Sequence, residues 1–99
     1  MPNLYQSISG SVTGTPVVVD LSKNAAPYSV TLIPGSGNTS KVEYSVSPNA
    51  GTSPGSANWI SWPSGTVSAI TNDVYAGKLT ALRFTRVSGS STDTYEVMS

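Results

Sequence analysis

The side chains that could carry chemistry in this chain are few. The carboxylates are Asp20, Glu43, Asp73, Asp93 and Glu96, and both cysteine and histidine are absent. Without them there is no thiolate nucleophile, no Ser-His-Asp triad, and no zinc or haem site built from the common ligands. A glycosidase sets two carboxylates across a cleft, about 5–10 Å apart. Five carboxylates spread over turns and strand faces read instead as solvated groups. Glu43 lies beside Lys41 on the polar side of one strand, and that pair reads as a solubility device. Asn72-Asp73 is the only adjacent pair of oxygen ligands, too little for a calcium loop. Ala76-Gly77-Lys78 lacks the earlier Gly and the following Ser or Thr of a phosphate loop. Asn38-Thr39-Ser40 fits an N-glycosylation sequon and reads as a turn. The expectation is a non-enzymatic protein with no cofactor, no metal and no catalytic residue.

The aromatic residues carry more information. Trp59 and Trp62 are three apart, so in a regular strand they point to opposite faces. One then enters the core and the other faces out as an anchor for a protein partner or a sugar ring. The alternative is a bend at Ser61-Trp62-Pro63 that folds both over the open end of the core. Trp62, next to the bend, is the candidate partner-binding residue. Tyr75, just before a long strand, has the position of the corner tyrosine of immunoglobulin-like sandwiches, or is an ordinary half-buried tyrosine. Arg83 and Arg86 fall on opposite faces of their strand. At the N-terminus, Leu4-Tyr5-Gln6-Ser7-Ile8-Ser9 is β-prone and is set off by Gly10 and Gly14. This segment, residues 1–9, is expected to be an extended arm or an edge strand, with Leu4, Tyr5 and Ile8 meeting a partner.

These residues must be positioned by strands. The chain has 99 residues, formal net charge zero, 10 % charged residues and 37 % hydrophobic residues. An ordinary globular domain carries about 25 % charged residues. Eighteen Ser and eleven Thr make the surface rich in hydroxyls. A chain of this size buries roughly 64 % of its unfolded surface, enough for one core. A single domain over 1–99 is expected, with no basic patch for nucleic acid, no membrane span and no secretory signal. Apolar residues recur with period two: Tyr28, Val30 and Leu32; Val42, Tyr44 and Val46; Leu82 and Phe84; Tyr95 and Val97. The spacing predicts strands at 4–9, 16–21, 28–33, 41–47, 58–62, 66–71, 79–87 and 93–98, with turns at Lys23–Pro27, Pro34–Asn38, Asn72-Asp73 with Ala76-Gly77, and Ser88–Ser91. Leu79–Val87 and Thr94–Met98 read as a hairpin with a projecting loop. The ten residues Pro48–Ala57 read as a loop. Seven or eight short antiparallel strands imply an all-β fold. An immunoglobulin-like β-sandwich is the leading form, with a jelly-roll or small barrel as the alternative, since strand order is not readable.

From Trp59 to Val97 the chain resembles a known group. The strings Trp59-Ile60-Ser61-Trp62-Pro63-Ser64-Gly65-Thr66-Val67, Gly77-Lys78-Leu79-Thr80-Ala81-Leu82-Arg83-Phe84 and Ser88-Gly89 with a final Thr-rich strand are similar to small accessory virion proteins of tailed bacteriophages. The resemblance covers about forty residues. It implies a sandwich made in the host cytoplasm and carried on the virion, most often as a capsid decoration protein. The implied partner is the major capsid protein, with a homo-oligomer, a trimer, as a further expectation. A tail, collar or fibre-associated position is an alternative. A carbohydrate-binding or host-adhesion module, with Trp62, Tyr75 or the 48–57 loop as platform, is a reading of a different class.

Overall fold

The computed structural model describes the backbone of residues 5–10 and residues 13–99 in full. Eight strands follow in order: β1 (Tyr5–Gly10), β2 (Val17–Asp20), β3 (Tyr28–Ile33), β4 (Thr39–Ser45), β5 (Ile60–Ser61), β6 (Thr71–Tyr75), β7 (Ala81–Ser88) and β8 (Asp93–Met98). The described residues hold no α-helix, only one 3-10 turn at Pro54–Ser56. The strands make two four-stranded sheets, ordered β1-β8-β3-β6 and β2-β7-β4-β5. Every pairing is antiparallel.

The pairing has a simple rule. β1 pairs with β8, β2 with β7, β3 with β6 and β4 with β5. The described strands therefore form one long hairpin, with residues 46–59 at its tip. Winding that ribbon adds the contacts β3–β8 and β4–β7 and places successive pairs in opposite sheets. This is the jelly roll. The sandwich of short antiparallel strands is the fold the periodicity predicts. Of the topologies left open, the order is not the immunoglobulin one, in which the first strand neighbours the second.

The winding changes two local expectations. Only β4 and β5 follow one another within a sheet, so β7 and β8 do not form a hairpin. Alternation puts Leu82 and Phe84, like Tyr95 and Val97, on an inward face, but it does not say whether those faces lie side by side or opposed. Here they are opposed. Phe84 stacks on Tyr95 with ring centroids 4.7 Å apart and planes 12° apart. Gly89, at φ 103°, turns the chain across the gap, and a Cβ there would stand 2.1 Å from Asn38 Oδ1. The second change concerns the strand expected at 66–71. Only Val67 bridges there, to Ser40, and β6 begins at Thr71. Asn72 and Asp73 are poor strand formers and read as a turn. In the fold Asn72 Nδ2 reaches Thr31 Oγ1 at 2.8 Å and Ser29 Oγ at 3.1 Å across the pair.

The core lies between the sheets. It is built from Val19, Leu21, Tyr28, Val30, Leu32, Val42, Trp62, Leu79, Leu82, Phe84, Tyr95 and Val97. Tyr28, not Tyr75, anchors its hydroxyl to the chain, donating to Asn24 O at 2.6 Å. Tyr75 is an ordinary half-buried tyrosine packed on Tyr44, centroids 5.0 Å apart. Its hydroxyl is the one buried side-chain polar atom without a hydrogen-bonding partner among the described residues.

Phe84→Ala is expected to cost about 3–5 kcal/mol, as large aromatic truncations in cores do; a urea titration measures it, and a near-neutral value would contradict the inward register of β7. Tyr75→Phe removes an unsatisfied hydroxyl and keeps the ring. It is expected to leave the midpoint unchanged or raise it, whereas Tyr28→Phe should lose about 1 kcal/mol.

Candidate functional site

The antiparallel strands put the loops at two ends. One end gathers the connections β1–β2, β3–β4, β5–β6 and β7–β8, and it is closed by a buried polar network. Asp93 and Asn38 are completely or almost completely buried there, with 0 % and 1 % exposure. One Asp93 oxygen accepts from Gly35 N at 2.9 Å and Asn38 Nδ2 at 2.7 Å. The other accepts from the Ser40 hydroxyl and from Tyr95 OH at 3.0 Å. Burial pushes this carboxyl up, but the bonds from Asn38, Ser40, Gly35 and Tyr95 outweigh it and hold the group below its ordinary value. The Tyr95 hydroxyl is pushed up, by burial first and by its bond to Asp93 second. Arg86, also buried, reaches Thr13 Oγ1 at 2.8 Å and the carbonyl of Ser91. Thr13 donates onward to Gly89 O at 2.8 Å. Every one of these groups is turned toward the protein. The network joins four chain segments and presents no reacting atom. Asn38 is also too buried to accept a glycan; it closes the turn after Gly35, while Thr39 and Ser40 open β4, so the Asn38-Thr39-Ser40 sequon is not the turn expected of it but the start of a strand.

The opposite end is closed by backbone acceptors. Lys78 Nζ lies 2.5 Å from both Leu21 O and Asn24 O. Thr80 Oγ1 donates to Ser45 O and Ser47 O at 3.0 and 2.8 Å. The loop at the hairpin tip folds back over β2, where a Cβ on Gly51 would stand 2.6 Å from the Asp20 side chain. Among the described residues no pocket opens and no metal-binding group of His, Cys, Asp or Glu forms.

The outer face of the β2-β7-β4-β5 sheet is different. Glu43 stands opposite both Arg83 on β7 and Ser61 on β5. Arg83 Nε and Nη2 both donate to Glu43 Oε1, at 3.0 and 2.8 Å. Lys41 Nζ is 3.9 Å from the same oxygen. The Lys41–Glu43 pair read from the sequence is thus the weaker half of a cross-strand triad. Trp59 completes the cluster: the Arg83 guanidinium carbon lies 4.5 Å from its ring centroid, and its Nε1 donates to Pro54 O at 3.0 Å.

The expected partner-binding residues fall in three places. Leu4 lies outside the described residues. Tyr5 and Ile8 are in β1, opposite Met98 and Tyr95 on β8, and their side chains lie outside the description. Trp62 is buried, with 2 % exposure, and presents no face to a partner. Ser61 pairs with Glu43 on the outer face, so Trp62 turns inward; its N–H bonds Val42 O at 3.0 Å and its Nε1 bonds Gly65 O at 2.5 Å. The outward tryptophan is Trp59. The three-residue spacing left open one of each or both folded over the core, and the β4–β5 register decides for one of each, with Trp59 outward.

Comparison with protein families, curated proteins and solved structures gives no match for this chain.

The Asp93 network sets the acid limit of the fold. The folded carboxyl titrates below the ordinary 3.8, so its stabilisation is complete above that pH and is lost as pH falls through the lower folded value. Asp20, held low by its bonds from Ser22, acts in the same sense. Thermal melts from pH 7 to pH 2 should show a falling midpoint below about pH 4. Asp93→Asn should cost about 1.5–3 kcal/mol at pH 7 and flatten that fall. An unchanged acid limb in the variant would place the titration elsewhere.

Proposed function

We propose that this protein is a non-enzymatic structural protein of a virion, made in the host cytoplasm and attached to the outer surface of a phage head as a capsid decoration protein. Two lines support the reading. The turn and strand motifs from Trp59 to Val97 are similar to those of accessory virion proteins. The jelly roll is a fold that viral capsid proteins use, an argument by analogy because folds host many functions.

The observation that carries the mode of attachment is the place of β1. Among the described residues it is the outermost strand of its sheet, paired along six residues from Tyr5–Met98 to Gly10–Asp93 and with no strand on its other side. Such an edge offers a row of backbone donors and acceptors to a strand of a neighbouring chain. The major capsid protein is the proposed partner, reached through Leu4, Tyr5 and Ile8. Arrangement as a trimer would let each copy's edge meet a neighbour on the lattice.

Cosedimentation with capsids that lack the protein tests this reading. The folded protein should pellet with capsids, and deleting residues 1–9 should weaken binding at least about tenfold, the equivalent of about 1.4 kcal/mol. Failure of the intact, folded protein to bind would overturn the proposal. Copy number by quantitative mass spectrometry separates positions: near one per capsid subunit, or one per few, for the head, and a handful per particle for a tail, collar or fibre base.

A further inference from the structure

We propose that Asp73 closes the β6 edge of the sandwich to strand addition, and that without its charge this edge pairs with the same edge of a second copy of the chain. This inference does not depend on the virion reading.

β6 ends its sheet on the side away from β1, and among the described residues no strand lies beyond it. In other respects it is well suited to pairing. Val74, in β6, and Ile70, just before it, are both exposed. Val74 stands opposite Ser29 and alternates with the inward Tyr75, so it lies on the outer face. An antiparallel pair of two copies, in the register centred on Asn72, would set Val74 of each copy opposite Ile70 of the other. Apolar cross-strand pairs of this kind are what stabilises an added strand. An uncovered edge with such residues is a template for self-association unless something blocks it.

Asp73 blocks it in two ways. It stands opposite Val30, which is fully buried, so its carboxylate is on the inner face of the sheet. A strand added beside β6 would lie against that carboxylate and take it out of water. A charge is tolerated there only with a partner, and among the described residues Asp73 forms no ion pair. In the register centred on Asn72 it would meet Thr71 of the second copy, which brings no cation. An inward-pointing charge is a known protection of sheet edges. The second block is local. Asp73 Oδ1 accepts the N–H of Val74 at 3.0 Å in a bond open to solvent. A donor spent on its own strand is not offered to a neighbour. Asn72 adds to this by turning its amide back across the pair to Ser29 and Thr31.

The other edge of the same sheet has no such device. The six residues of β1, Tyr5–Gly10, include no charged side chain. The sheet thus carries a carboxylate at one edge strand and none at the other.

Sedimentation velocity on the whole chain, from micromolar to millimolar concentration, tests the proposal. Asp73→Thr, which suits a strand, should raise the mass to twice that of the wild-type species as concentration rises. Asp73→Asn keeps the shape, removes the charge and should shift the mass in the same direction. Adding Val74→Lys to either should return the wild-type mass, because it sets a charge within the new pair. Glu96→Gln removes one negative charge from β8, in the middle of the sheet, and should change nothing. Thermal melts establish that the variants are folded, and Asp73→Asn carries the test alone if Asp73→Thr is not. A wild-type mass in every folded neutral variant at millimolar concentration would overturn the proposal. So would an association that Val74→Lys leaves in place, or one that Glu96→Gln produces equally. A wild-type association that Val74→Lys alone removes would also overturn it, since the edge would then be open with Asp73 present. Capsid binding is not read in any of these, so their failure leaves the virion reading as it stands.

Discussion

The fold depends on one buried carboxylate. Asp93 opens β8 at the point where the chain has just crossed from one sheet to the other, and it accepts four hydrogen bonds from Gly35, Asn38, Ser40 and Tyr95. A buried ionised group without partners would be too costly to keep. Four donors from the β3–β4 connection, from β4 and from β8 itself satisfy it, and in doing so they set where those segments meet. Ser40 belongs to one sheet and Asp93 to the other, so the network spans the sandwich where the hydrophobic core ends. A chain with no disulfide and little charge closes its core with directed polar contacts instead. Arg86 does related work one step out, through Thr13 and Ser91.

The buried site of Asp93 was not legible in the sequence, although the strand it begins was. Alternation in Tyr28-Val30-Leu32, Leu82-Phe84 and Tyr95-Val97 marks inward faces, and all of these residues are buried. Alternation is a property of one strand, however, and topology is a property of pairs. A Ser-Gly turn between two alternating strands reads equally as a hairpin or as a crossing between sheets. Here the pairing of β8 with β1 and β3 decides for the crossing, and those contacts join residues far apart in the chain. β6 was hidden for a second reason. Asn72 spends its amide on Ser29 and Thr31 of the neighbouring strand, and Asp73 caps the N–H of Val74 at 3.0 Å. Residues with turn chemistry are used here to finish an edge strand, and such use supports the strand while erasing its local signature.

The outer-face cluster shows the same division. That one of Trp59 and Trp62 faces outward was one of two readings of their spacing, the other being both folded over the core. That it is Trp59 follows only from Ser61 standing opposite Glu43, a register of two residues. The Arg83–Glu43 pair was likewise invisible, because its members are forty residues apart and meet only when β7 lies against β4. The sequence shows Lys41 beside Glu43 and suggests that pairing first. In the fold the nearer neighbour along the chain is the weaker partner, at 3.9 Å against 2.8 Å for Arg83.

Both ends of the sandwich are closed by side chains bonded to backbone, and this confines recognition to faces and edges. At one end the polar donors converge on Asp93; at the other, Lys78 and Thr80 bind carbonyls of β2–β3 and β4–β5. Groups already satisfied internally have little to offer a ligand, since a new partner would have to displace an old one. The edge of β1 and the face around Trp59 differ in this respect. Among the described residues β1 has no strand on its outer side, and Lys41 makes one long contact to Glu43 and keeps 38 % of its side chain exposed. They also lie on different sheets, at the first position of one and across the β4–β7 centre of the other. A strand added to β1 would extend that sheet sideways and leave the outer face of the other sheet as it stands, so the edge and the face are separate surfaces of one small domain.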